Sequence, residues 1–174
     1  MEFIKTSNLY SLNKSTYVNL RWIAYIGQIS AILFVQFFFE FNFNYVICIL
    51  IILFSILTNF FLQFRIKENQ LNNSSSTIYL TYDILQLGIL LFFTGGVTNP
   101  FIFLILIPAV FSSQYLHFFS SLLLVLLIMI VLTILTFYYY SLPSPGELHF
   151  HVPEYYLYAL PISVTIGLIF LVFF

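Results

Sequence analysis

The sequence predicts an all-α, polytopic membrane helix bundle of six transmembrane helices, the last one truncated. Three observations predict it. Of 174 residues, 61% are hydrophobic and only 6% charged, whereas a soluble domain carries about a quarter charged residues. The apolar residues fall into runs near the ~20 residues that a membrane span requires. The five basic residues, Lys5, Lys14, Arg21, Arg65 and Lys67, all belong to segments that alternating spans place on one side. The lipid bilayer is therefore the first partner. A net charge of −1 with no basic patch argues against nucleic acid.

The elements follow in order. Residues 1–21 are polar and mixed, unlike a cleavable signal peptide, and read as a cytoplasmic tail; residues 22–174 form the transmembrane domain. Arg21 and Trp22 mark an interface, and 22–39 is the first span. Glu40 to Asn44 is too short for anything but an antiparallel hairpin, so 45–62 returns as the second. The polar segment 63–77 carries Arg65, Lys67, Glu68 and an Asn/Ser run, and 78–93 is the third span. The fourth is 100–115, with Pro108 a kink, and the fifth is 119–140 after a narrow gap at 114–118. Residues 141–156 form a loop with three prolines, and 157–174 begins the sixth span. The opposite side holds Glu40, Glu147 and Glu154 and no basic residue, so the positive-inside rule puts the N-terminus in the cytoplasm. The absence of an internal repeat lowers the case for a transporter built from matching halves.

Between the third and fourth spans lies Gly95-Gly96-Val97-Thr98-Asn99-Pro100-Phe101. Read as a turn, a glycine ends one helix in a left-handed cap, Asn99 caps the next and Pro100 takes its first position. Read as a site, Asn99 offers side-chain donors, and the helix opening at Pro100 offers unpaired N–H groups. Phe92, Phe93, Phe101 and Phe103 frame them with flat apolar surface, suited to a ring with carbonyl oxygens on a greasy tail.

Ionisable groups inside a span are functional candidates by default. Asp83 is the acid within the spans, and it shares a helix face with Tyr79 and Gln86 at i, i+4, i+7 spacing. Arg21, Tyr25 and Gln28 repeat that spacing in the first helix, and Ser55 and Asn59 approach from the second. One reading is a coupling network with Arg21 paired to Asp83. The other keeps Asp83 shallow at the interface, with Gln86 only joining helices. Cys48 reads as apolar filler, and as the single cysteine it excludes an internal disulfide. His149 and His151 read as a solvated loop and His117 as interfacial, with no metal site. Gln28, Gln36 and Gln114 have no partner that sequence alone can name.

The motif Gly95-Gly96-x-x-Asn99-Pro100-Phe101 resembles the GGxxNPF heptapeptide of RegB/PrrB-type redox-sensing histidine kinases. Arg21-Trp22 and Asp83-x-x-Gln86-Leu87 resemble the helix-one start and helix-three sequence of the same sensors. The resemblance implies ubiquinone as the sensed ligand at Gly95, Gly96, Asn99, Pro100 and Phe101, with Arg21, Asp83 and Gln86 coupling helix packing to a signal. It also implies a homodimer in the bacterial inner membrane and a response regulator reached through a kinase half beyond Phe174. This chain itself holds no phosphate loop and no catalytic triad. The alternative is a small polytopic transporter or membrane assembly protein with no kinase, in which the heptapeptide is only a turn.

Overall fold

A computed structural model describes residues 11–38, 40–41, 43–140 and 153–173. It is all-helical apart from one two-stranded ladder. The order is β1 (Leu12–Asn13), α1 (Lys14–Phe38), α2 (Tyr45–Arg65), β2 (Gln70–Leu71), α3 (Asn73–Phe93), α4 (Leu106–Tyr115), α5 (Phe118–Phe137) and α6 (Glu154–Phe173). Two 3-10 segments, Gly96–Thr98 and Pro100–Ile105, lie between α3 and α4. Among the described residues, α1, α2, α3 and α5 are long and apolar enough to cross a membrane, and Pro100–Tyr115 and Tyr155–Leu171 are apolar but shorter.

Three helices begin earlier than hydropathy indicates. α1 starts at Lys14 instead of residue 22, because Asn13 caps it by accepting a hydrogen bond from Thr16 N at 3.2 Å. α3 starts at Asn73 instead of 78, with Asn72 accepting from Ser75 N at 2.8 Å. α6 starts at Glu154 instead of 157. Polar first turns add nothing to a hydropathy window, yet a side-chain cap satisfies their free N–H groups. The second half of the expected tail, residues 11–21, is thus part of the folded bundle. Lys5, His149 and His151 lie outside the described residues, as does most of the 141–156 loop.

The fourth segment also departs from expectation. Instead of one kinked helix, Pro100–Ile105 is wound as a 3-10 helix before the α-helix begins at Leu106. Pro108 then falls in the first turn of α4, where its missing N–H costs no internal bond. Six residues at ~2.0 Å and ten at ~1.5 Å give this segment a reach of roughly 27 Å.

α3 is the shared wall of two cores. On one side Leu80, Ile84, Leu87 and Leu91 pack with Ile102 and Ile105, with Ala109 of α4, with Leu124, Ile128 and Leu132 of α5, and with Val164 and Leu168 of α6. On the other, Leu90 joins Tyr25 and Ile32 of α1 and Cys48 and Ile52 of α2. Cys48 is fully buried there, as apolar filler. At one end the β1–β2 ladder pairs Leu12 with Leu71, and both side chains are buried in the first of these cores. Of the described basic residues, Lys14, Arg65 and Lys67 lie at this end. The heptapeptide lies at the other, where Tyr140 N donates to Phe92 O at 2.8 Å and ties the ends of α3 and α5.

Gly88 sets the approach of α3 to α5. A Cβ there would stand 2.8 Å from Val131 Cγ1, and a β-branched valine cannot turn aside at low cost. Gly88→Ala is therefore expected to destabilise the protein by about 1–3 kcal/mol, read as a lower melting temperature in detergent. Adding Val131→Ala should recover much of the loss. A Gly88→Ala protein as stable as wild type would refute this packing account.

Candidate functional site

The polar residues of the first three helices converge on one ion pair, its Arg21 buried and its Asp83 partly so. Arg21 Nη2 lies 2.9 Å from Asp83 Oδ1, with the Arg21 side chain 4% exposed and that of Asp83 19%. Tyr17 donates its hydroxyl to the other carboxylate oxygen of Asp83. Arg21 Nη2 also donates to Thr58 Oγ1 of α2 at 2.9 Å, and the Thr58 hydroxyl donates to Ser55 O at 2.7 Å. Three helices thus meet at one guanidinium. Asp83 is the midpoint of α3, about 15 Å from either end by helix rise.

Four tyrosine rings surround the cation. The guanidinium carbon stands 5.6 to 5.8 Å from the ring centres of Tyr17, Tyr25, Tyr79 and Tyr82, within the range of cation–π attraction. Arg21 Nε and Nη1 are buried with no hydrogen-bond partner among the described residues, so the rings are the electron-rich surroundings on offer. The tyrosines are themselves held. Tyr25 donates to Ser55 O at 3.1 Å, and Tyr82 shares a 2.8 Å hydrogen bond with Ser55 Oγ. Trp22 packs edge-on against Tyr25 and Phe60 with ring centres 6.2 and 5.2 Å apart.

The helical spacings anticipate much of this cluster. Arg21 meets Asp83, and Gln86 Nε2 donates to Gln28 Oε1 at 3.2 Å, supplying the partner that sequence could not name. Ser55 is buried at the cluster, and Asn59 donates to Val18 O at 3.3 Å. Sequence reasoning missed Tyr17, Thr58 and Tyr82. Tyr17 and Tyr82 carried a signal, since Tyr17 precedes Arg21 by one turn and Tyr82 adjoins Asp83 on α3.

The heptapeptide lies at the far end of α3 from the ladder. Gly95 has φ 104° and Gly96 φ 59°, both left-handed, and Asn99 with Pro100 at the next position opens the following helix. This is the arrangement expected of a turn. Its polar groups, however, are satisfied within it. Asn99 Nδ2 donates to Thr94 O and Thr94 Oγ1, each at 2.8 Å, while Asn99 Oδ1 accepts from Phe101 N at 2.8 Å. Ile102 N donates to Asn99 O at 3.0 Å. The N–H groups expected to be free at this helix start are thus paired, because the 3-10 winding and the Asn99 cap consume them. Gly96 makes a close approach within the chain: a Cβ there would lie 2.5 Å from Tyr139 Cβ. Phe101 and Phe103 remain about half exposed.

The chain is 35% identical over 98 residues to the sensor histidine kinase RegB of Cereibacter sphaeroides, a match covering 56% of this chain and 21% of that protein. The chain therefore spans about a fifth of that relative's length. No family model and no solved structure matches it.

Breaking a buried ion pair from one side leaves an uncompensated charge, a cost of ~3 kcal/mol or more. Arg21→Gln and Asp83→Asn should each lower stability on that scale. The double variant should lose less than the sum, with a coupling of about 1–3 kcal/mol. Additive losses in detergent unfolding would mean that the pair is not a working contact. At the turn, Gly96→Ala meets both the Tyr139 clash and a disfavoured φ. It should lower the melting temperature more than Ala at exposed Gly27, where nothing lies within 4 Å.

Proposed function

We propose that this chain is the membrane sensor region of a two-component, redox-responsive histidine kinase, reporting the redox state of ubiquinone to a kinase module carried elsewhere. The observation that carries the reading is the Arg21–Asp83 pair, which joins α1 and α3 and holds α2 through Thr58. The similarity to RegB supports it. A sensor needs an element with two arrangements that a ligand can bias. A buried pair with several alternative polar neighbours is such an element, because its partners can be exchanged without stranding a charge in apolar surroundings.

In this proposal the quinone docks at the heptapeptide, its ring against the exposed faces of Phe101 and Phe103. A ring carbonyl takes over the Asn99 N–H that Thr94 Oγ1 now accepts, so binding and turn geometry are linked. Gly95, Gly96 and Pro100 shape the turn. The signal then travels along α3 to Asp83 and Gln86. All six helices cross the bacterial inner membrane, the 3-10 segment lengthening the fourth. The ladder end, with Lys14, Arg65 and Lys67, faces the cytoplasm, and two copies pair side by side.

Trp22 is the single tryptophan of the chain and packs on Tyr25 of the cluster, so it reports the state of the ion pair from within. Oxidised and reduced short-tailed ubiquinone should bind the purified chain with different affinities, since a ligand that binds both arrangements equally shifts nothing. The favoured form should move the Trp22 emission maximum. Asp83→Asn should abolish that movement and leave affinity nearly unchanged. Asn99→Ala should weaken binding about threefold to tenfold, the worth of one hydrogen bond. Equal affinity for the two redox forms would sink the redox reading, and an unaltered Asn99→Ala titration would remove the turn as the site.

A further inference from the structure

A groove of about 550 Å³ runs between α2 and α3 on the outer face of the bundle. That volume lies within the range of ligand pockets, roughly 300–1,000 Å³. Its walls include Leu57, Phe61 and Ile78, each more than half exposed, so it opens sideways towards the bilayer. Its lining carries no charged residue, which suits a hydrocarbon chain. Ile66 and Ser75 mark the end nearest the ladder.

That end is positively charged. Lys14 Nζ donates to Ile66 O at 2.6 Å and to Gln63 O at 3.5 Å, which fixes an ammonium at the mouth of the groove. Arg65 and Lys67 flank Ile66 in the chain, both exposed, and neither joins an ion pair among the described residues. Three cations there face one neighbouring acid, Glu68. An apolar trough ending in a cluster of cations is complementary to one kind of membrane component.

We propose that this groove binds an anionic phospholipid, its acyl chain along the α2–α3 trough and its phosphate beside Lys14, Arg65 and Lys67. Juxtamembrane cations attract such headgroups. The site also touches the ion-pair cluster. Thr58, Tyr79 and Tyr82 line the groove, Thr58 accepts from Arg21, and both tyrosine rings stand against its guanidinium. A lipid seated here therefore bears on the packing of the buried pair, independently of any quinone at the opposite end.

The test is native mass spectrometry of the full chain released from membranes of mixed phosphatidylglycerol and phosphatidylcholine. Wild type should retain phosphatidylglycerol in preference. Arg65→Gln with Lys67→Gln should reduce that retention about tenfold or more. Ile78→Trp, which fills the groove without changing charge, should reduce it too, with helix content unchanged by circular dichroism. Excess inorganic phosphate should leave the lipid in place; its displacement would show a simple anion site and overturn the proposal. Equal retention of the two lipids by wild type would overturn it without recourse to any variant, as would full retention by both folded variants.

Discussion

The structure depends on one constraint: a guanidinium and a carboxylate must be kept together in apolar surroundings. An isolated charge there is far costlier than any single packing defect. Arg21 and Asp83 meet this condition only if α1 lies against α3, and Thr58 brings in α2. Tyr17, Tyr25, Tyr79 and Tyr82 close around the pair with rings that are apolar enough to pack and electron-rich enough to face a cation. The polar cluster thus sets the register of three helices whose apolar faces alone would tolerate sliding.

α3 bears the consequences. It has the most polar first turns of the long helices and buries residues on two opposed sides. Lipid tails are as apolar as leucine, so helices in a membrane gain little from hydrophobicity towards one another. Close packing and hydrogen bonds must supply the difference. Gly88 against Val131 supplies the first on the α5 side, and Gln86 with Gln28 supplies the second on the α1 side. At the ladder end Asn73 donates to Ser120 Oγ and accepts from His117 N, so the same helix also anchors the turn between α4 and α5.

The heptapeptide shows how a motif can be both a turn and a candidate site. Its glycines have the left-handed conformations that residues with a Cβ rarely adopt, and Asn99 closes the loop through three side-chain hydrogen bonds. A turn so fully paired holds one shape until something competes for its bonds. Phe101 and Phe103 stand about half exposed beside it.

Composition alone determined the all-helical class, since apolar runs of this length leave little choice in a solvent that cannot satisfy the backbone. Helical periodicity was enough to place Arg21, Tyr25 and Gln28 on one face and Tyr79, Asp83 and Gln86 on another, because side-chain direction follows from 3.6 residues per turn. The turn at Gly95 to Pro100 was legible for the same local reason: the left-handed glycine, the Asn cap and the proline at the first position are short-range chemistry. What lay beyond reach is what depends on distant residues. The ladder joins Leu12 to Leu71, residues far apart in sequence. The pairing of Gln86 with Gln28, the inclusion of Thr58, and the close fit of Gly96 to Tyr139 each follow from how helices rotate and approach. That rotation is decided by the summed fit of both faces of α3, and no local pattern encodes it.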